Sequence, residues 1–89
     1  QKKVYAAKCL NYFSKIGIAE FLCEEGTIHK NDSNYINPPT TEVIEQQVEE
    51  IRLDLKEEAL VGAGMRFSMP VSRRVRRGDR LYIVVSAKV

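Results

Sequence analysis

The chain has 89 residues, of which 44% are hydrophobic and 29% are charged, and its formal net charge is +2. A chain of this length holds one domain, because two cores would each bury too little surface to offset the conformational entropy of folding. Its apolar runs fall short of the roughly 20 residues that span a bilayer, and its first residues lack a secretory signal. We therefore predict a single cytoplasmic domain over residues 1–89 with no membrane partner.

Two apolar-rich runs near the start of the chain, Val4 to Leu10 and Ile16 to Leu22, have the spacing of an antiparallel hairpin. Cys9 and Cys23 lie at these runs, outside any C-x-x-C spacing. Two cysteines are too few for a disulfide framework, and with one histidine they do not provide the paired ligands of a zinc site. Free thiols are expected, with no metal.

Two turn signals follow, at residues 24–27 and 30–33, and they leave Ile28 as an apolar plug between them. Tyr35 and Ile36 then form the centre of a short predicted strand. Pro38 and Pro39 end that strand, because neither residue can donate a hydrogen bond to a neighbouring strand.

The segment from Thr41 to Leu60 has two competing patterns. A helix is favoured by local propensity, by Thr41 as an N-cap, and by four apolar residues at helical spacing, namely Ile44, Val48, Ile51 and Leu55. A strand is favoured by alternation on either side of Glu49 and Glu50, where one bulge or turn would shift the phase. The residues alone favour the helix.

Strand patterns return after Gly62. One predicted face consists of Met65, Phe67, Met69 and Val71, and the opposite face carries Arg66 and Ser68. Pro70 indicates an edge or a bulge. A turn at Gly78 and Asp79 then precedes a closing strand whose alternating residues are Leu81, Ile83 and Val85.

Charge is strongly segregated along the chain. Residues 42–58 carry a net charge of −5, and residues 66–89 carry +6. Most of the positive charge belongs to five arginines, namely Arg73, Arg74, Arg76, Arg77 and Arg80. The two segments can neutralise each other across neighbouring strands, or they can form separate acidic and basic faces.

The order of these signals resembles a known family. The residues that carry the resemblance are Val4, Tyr12 to Ala19, Gly26 to Asp32, Pro39 to Thr41, Gln47 to Ile51, Ala59 to Gly62, Met65 to Phe67 and Val75 to Tyr82. Together they resemble domain 2 of the translational GTPases, and more closely the small translation-elongation-factor-like proteins. The resemblance implies an all-β fold, a small closed or partly open barrel of about six strands. It also implies that Gln46 to Leu55 is mainly strand, against local propensity.

No pattern of catalytic residues stands out. His29 is the one histidine and lies in a turn, the acids of residues 42–58 are evenly spread, and the chain lacks a phosphate-binding glycine motif. We predict a non-enzyme without a cofactor.

The arginines suggest a binding function. Their forked donors suit phosphates, while Tyr12 and Phe13, with Lys15 beside them, offer stacking faces. Since domain 2 of translational GTPases contacts RNA, the first hypothesis is a non-catalytic module that binds RNA or the ribosome. The competing interpretation is that the aromatics cover one end of the barrel while the arginines pair with the acidic segment.

The second hypothesis is a protein-interaction module or an accessory barrel beside a larger enzyme. The C-terminal barrel of the collagenase-like peptidases resembles such an arrangement.

Overall fold

A computed structural model describes residues 2–37, 44–54 and 56–85, and the regular elements of these residues are β-strands. The ten strands are β1 (Lys2–Phe13), β2 (Ile18–Cys23), β3 (Thr27–His29), β4 (Ser33–Asn37), β5 (Ile44–Gln47), β6 (Ile51–Leu53), β7 (Lys56–Glu58), β8 (Leu60–Gly62), β9 (Arg66–Pro70) and β10 (Arg80–Val85). The all-β prediction is confirmed. Within the described ranges, no helix is long and apolar enough to cross a membrane.

Eight strands form one antiparallel sheet in the order β5-β4-β10-β1-β2-β9-β6-β7, and β3 pairs with β8 in a second sheet. Strands β5 and β7 do not pair with each other in the described part of the chain, so a closed barrel is not found. The predicted count of six strands was too low. Strand β7 consists of exposed charged residues, Lys56, Glu57 and Glu58, a composition that protects a sheet edge from further pairing.

The predicted opening hairpin is confirmed and consists of β1 and β2. Strand β1, with 12 residues, is also the long strand in the middle of the large sheet. At the turn, the Phe13 carbonyl accepts hydrogen bonds from the N–H groups of Ile16 (3.2 Å) and Gly17 (2.9 Å). Gly17 has a φ of 66°, which glycine adopts without strain. Two register shifts interrupt the pairing of β1, between Tyr5 and Ala7 and between Cys9 and Asn11. Each shift changes which residues of β1 face the core.

The core is one cluster of buried side chains to which both sheets contribute. Phe21 and Phe67, both fully buried, stack with ring centroids 5.5 Å apart. Ile28 of β3 lies opposite Val61 of β8, and both side chains have no exposed surface. The apolar plug predicted at Ile28 is therefore part of the small sheet, which covers the core of the large one.

The segment with competing patterns is strand in its described part. Strand β5 pairs with β4, and β6 pairs with β7 and meets β9 at one position, Arg52 opposite Ser68. Between β5 and β6, Val48 is fully buried, and its backbone exchanges hydrogen bonds with Asn31 and Asp32. These backbone pairings between strands outweigh the local helix propensity. The proposed N-cap at Thr41, the proline pair and Leu55 lie outside the described residues.

Strands β9 and β10 follow the predicted alternation in their central residues. Phe67, Met69, Leu81 and Ile83 are buried. The alternation does not extend to the ends of the predicted faces, because Met65 and Val85 are exposed. Pro70 ends β9 opposite Ile18 of β2, where a missing backbone donor is tolerated.

One polar side chain of the core has no partner. Asn34 of β4 is fully buried opposite Ile83, and both atoms of its side-chain amide lack a hydrogen bond. An unpaired buried polar group costs about 1–3 kcal/mol. The pairing of β4 with both β10 and β5 offsets this cost.

Candidate functional site

The loop of residues 71–79 joins β9 to β10 and carries four of the five arginines. Its backbone is bonded to the opening hairpin at both ends. The Val71 N–H donates to the Gly17 carbonyl (3.0 Å), the Gly78 N–H donates to the Cys9 carbonyl (2.9 Å), and the Cys9 N–H donates to the Asp79 carbonyl (2.8 Å). Val75 in the middle of the loop is buried in the core. The loop is therefore firmly attached and presents its arginines from a fixed backbone.

The last four residues of the loop form the predicted turn. The Asp79 N–H donates to the Arg76 carbonyl (3.0 Å), and Gly78 has a φ of 92°, as expected at the third position of a type II turn. The carboxylate of Asp79 closes the same turn, because its Oδ2 accepts a hydrogen bond from the Arg76 N–H (2.8 Å). Asp79 thus has a structural role in shaping the loop.

Asp79 is only 2% exposed, and its second carboxylate oxygen has no hydrogen-bond partner. Burial raises the pKa of this carboxyl above its ordinary value, while the N–H and the guanidinium of Arg76 act in the opposite direction. The raised pKa indicates that the buried negative charge is a net cost to the fold at neutral pH.

We predict different effects for two substitutions of Asp79. Asp79→Ala removes the acceptor of the Arg76 N–H and lowers stability by about 1 kcal/mol or more. Asp79→Asn keeps an acceptor oxygen and removes the charge. Because the folded-state pKa is raised, the stabilising effect of the protonated carboxyl is present below its ordinary pKa and is lost as the pH rises through the folded-state pKa. The free energy of unfolding of Asp79→Asn, relative to that of the wild type, should therefore increase as the pH rises from 3 to 7.

Urea unfolding across this pH range measures both effects. A constant difference between Asp79→Asn and the wild type at every pH would contradict the raised pKa.

The start of the arginine loop lies beside the hairpin turn, where Val71 is bonded to Gly17, and its last residues lie beside Cys9, farther back along β1. Tyr12 is half-buried and packs against the core, so its ring contributes to the structure, as the competing interpretation held. Phe13 is 47% exposed and Ile16 is 67% exposed, and Lys15 between them is also exposed. The structure thus places Phe13 and Lys15 at the hairpin turn, near the start of the loop. The Tyr12 ring packs against the core and is less available to a ligand.

Two of the loop arginines are not paired with the acidic segment in the described part of the chain. Among the described residues, neither Arg74 nor Arg77 forms an ion pair. Ion pairs of the acidic segment are made instead with Lys30, which lies 3.3 Å from Glu57, and with Arg52, which pairs with Glu50. Arg80 lies on β10, outside the loop, with its guanidinium carbon 5.9 Å from the centre of the Tyr5 ring.

A row of three tyrosines was missed by the sequence reasoning. Tyr5, Tyr82 and Tyr35 lie opposite one another on β1, β10 and β4. Lys3 lies 4.1 Å from the centre of the Tyr35 ring, and the Tyr5 hydroxyl donates a hydrogen bond to Glu24. Burial, followed by this hydrogen bond, raises the pKa of Tyr5 to about 12. Such cross-strand contacts stabilise the sheet. In the sequence, the alternating pattern of β10 was the one feature that pointed to them.

The residues with catalytic potential have structural roles. His29 lies 3.7 Å from Asp32, but this carboxylate also accepts a hydrogen bond from the His29 backbone N–H (2.9 Å) and so closes the turn. Cys9 and Cys23 are free and buried. Within the described ranges, no three side chains of His, Cys, Asp or Glu are grouped as a metal site requires.

The chain has similar sequences among known proteins, although no family model matches it. Two proteins of Porphyromonas gingivalis named collagenase, one from strain ATCC BAA-308 / W83, are each 45% identical to it over 82 residues. The match covers 92% of this chain but 20% and 23% of those proteins. The chain therefore spans about a fifth of the length of the curated relatives it matches.

Its structure is similar to the C-terminal domain of a Geobacillus thermoleovorans protein described as a U32 peptidase. The TM-score is 0.85 at 18% identity, and the alignment covers 92% of this chain and 93% of that one. The selenomethionine variant of the same domain gives a TM-score of 0.80 at 19% identity, over 86% and 95% of the two chains. The chain has the fold of that C-terminal domain.

These matches overturn the predicted resemblance to domain 2 of the translational GTPases, which was wrong. The quoted segments consist mainly of turn signals between short strands, and any small antiparallel domain needs such turns. Their order therefore could not distinguish one β family from another. The hypothesis of a translation-factor-like, RNA-binding module rested on that resemblance and falls with it.

Proposed function

We propose that this chain is a non-catalytic accessory domain of a peptidase-like protein. The observation that carries the proposal is the share of each protein that the matches cover. Nearly the whole chain matches about a fifth of proteins named collagenase, and its fold is that of one C-terminal domain of a protein described as a U32 peptidase. A unit of this size beside a much larger remainder suits an accessory role, in which chemistry is performed elsewhere in the protein.

The chemistry of the cysteines and the histidine supports this proposal. A nucleophilic cysteine requires an accessible thiol with a lowered pKa. Burial instead raises the pKa of Cys9 to about 11, and it also raises the pKa of Cys23. His29, the one histidine, is engaged with Asp32 in a turn. These side chains serve the fold and do not provide a base or a nucleophile.

Domain exchange with the curated relative tests the proposal. In the Porphyromonas gingivalis collagenase, the matching fifth is replaced by this chain in one variant and deleted in another. Collagen hydrolysis, the activity that the relative's name gives, is measured for both variants and for this chain alone. We expect hydrolysis to survive the replacement and to fall on deletion, because the larger part holds the catalytic groups and needs the accessory domain for full activity.

This chain alone is expected to release no peptide. Hydrolysis by the isolated chain would show that it is catalytic. Full activity of the deletion variant would show that the matching region is dispensable, and either result would overturn the proposal.

A further inference from the structure

The end of the sheet that carries the hairpin turn combines exposed cations with exposed apolar side chains. We call it the hairpin-end surface, and it comprises Phe13, Ile16, Arg73, Arg74, Arg76 and Arg77. Phe13 and Ile16 are about half and two-thirds exposed, and all four arginines are exposed. Exposed apolar side chains on the hairpin to which a loop of like charges is bonded are typical of a surface that binds a partner.

Two arginines of this surface, Arg74 and Arg77, are available to a ligand. Their loop is bonded to Gly17 and Cys9, and Val75 anchors it in the core. Arg74 and Arg77 have no carboxylate partner among the described residues. A fixed backbone lowers the entropy lost on binding, and unpaired guanidinium groups favour a ligand with carboxylates.

The apolar part of the surface decides the class of partner. Ile16 at the turn cannot stack on a base, and it gains nothing from a phosphate backbone. Buried against Leu or Phe side chains, Ile16 and Phe13 would each contribute on the order of 1–2 kcal/mol. A polypeptide with acidic residues next to apolar ones is complementary to both parts of the surface, whereas a nucleic acid is complementary to the arginines alone.

We propose that the hairpin-end surface binds acidic, apolar-containing segments of the protein substrate and presents them to the catalytic part of the enzyme. This inference rests on the proposed accessory function. It assigns a substrate class to that function and a surface to the substrate.

The position of the surface favours a substrate over the remainder of the same protein. Lys2 at the start of β1 lies opposite Val85 at the end of β10, so both ends of the described strands are at one end of the sheet. The hairpin turn is at the other end of β1, which has 12 residues and is therefore roughly 36 Å long. In a longer protein, chain joined at the Lys2 and Val85 end would leave the hairpin-end surface directed outward.

Peptide binding to the chain tests this inference. The probes are short fluorescein-labelled synthetic peptides: one contains Glu and Leu interspersed with Gly, a second has Gln in place of Glu, and a third has Ser in place of Leu. Fluorescence anisotropy is measured at low and high salt. We expect the Glu and Leu peptide to bind at least about tenfold more tightly than either of the others, and to weaken as salt rises.

Three double variants locate the binding site. Arg74→Glu with Arg77→Glu removes the charge complementarity, and Phe13→Ser with Ile16→Ser removes the apolar contact. Each should weaken binding by about tenfold or more. Lys2→Glu with Lys56→Glu makes the same change in net charge as the arginine variant, at exposed positions away from the hairpin turn, and should bind like the wild type apart from a small long-range effect. Melting temperatures confirm that all variants are folded.

Equal affinity for the Gln and Glu peptides, or no loss in the arginine variant, would overturn the inference. Tighter binding of an oligouridylate of the same length than of the Glu and Leu peptide would also overturn it, because the surface would then prefer nucleic acid. These outcomes are separate from the domain exchange. If the exchange succeeds and the peptides do not bind, the accessory function stands and this inference fails. If the peptides bind and the exchange fails, the accessory function is wrong.

Discussion

Phe67→Ala is expected to destabilise the domain severely. Phe67 is 1% exposed and stacks on fully buried Phe21, with an angle of 19° between the rings. Removing a buried phenyl ring costs about 3–5 kcal/mol, because the transfer free energy of the ring is lost and a cavity remains. A domain has only about 5–15 kcal/mol of stability in total, so the variant should be close to unfolded at physiological temperature.

Thermal unfolding followed by circular dichroism measures this effect. At several degrees per kcal/mol for a domain of this size, the melting temperature should fall by about 15 °C or more. Phe13→Ala is the matched control, since it removes the same ring from a side chain that is 47% exposed, and it should shift the melting temperature by only a few degrees. Similar losses for the two variants would contradict the placement of Phe67 in the core.

Cys9 is expected to be almost inert toward thiol reagents in the folded protein. It is 1% exposed, and burial, with a smaller contribution from Asp79, raises the pKa of its thiol from 9.0 to about 11. Since the thiolate is the reactive form, this shift alone lowers its population at pH 8 by roughly 100-fold. The labelling rate of Cys9 in the native state should be slower than in denaturant by at least this factor.

Site-resolved mass spectrometry after timed labelling measures the rate, and Ser14→Cys provides an exposed cysteine in the hairpin turn as an internal standard. Equal rates at positions 9 and 14 would show that β1 is open to solvent. The same pKa shift affects stability in alkaline solution. Below pH 9.0 the thiol is protonated in both states. As the pH rises from 9.0 toward 11, the unfolded state releases a proton that the folded state retains, so the free energy of unfolding falls.

The sequence was informative where one face of a strand is buried. Alternation located the centres of β9 and β10, and two apolar runs located the hairpin of β1 and β2. It misled at residues 44–53, where the side chains prefer a helix but the backbone pairs with β4, β7 and β9. All three partners lie outside residues 44–53, and a pattern read within this segment contains no information about them.

The three-residue strands were harder to predict. Strand β3 contains one buried residue, Ile28, and β7 contains none, so neither has a detectable period. The two bulges of β1 have the same effect, because Ala7, Cys9 and Tyr12 face the core without a constant spacing. The buried Asn34 contradicts the usual preference of its residue type.

The sequence located the arginine loop but not the way in which it is anchored. Counting arginines identified the loop, and the structure confirms that residues 73, 74, 76 and 77 are exposed. Whether these residues bind a ligand stays a prediction. The anchoring of the loop by Val75 and Asp79 depends on where the hairpin lies, which the local sequence does not specify. Ile16 was interpreted as a strand residue, and its exposure follows from its position in the turn.

The pairing of the first strand with the last constrains how the chain folds. Lys2 to Lys8 of β1 lie opposite Val85 to Arg80 of β10, so the pairing of β1 with β10 closes a loop of about 80 residues. Such closure is entropically unfavourable and slows folding. During synthesis, β1 leaves the ribosome before β10 and has no β10 to pair with until residues 80–85 are made. We expect β2 to protect one edge of β1 in this interval, while the other edge stays unpaired until β10 is made and is open to wrong pairing.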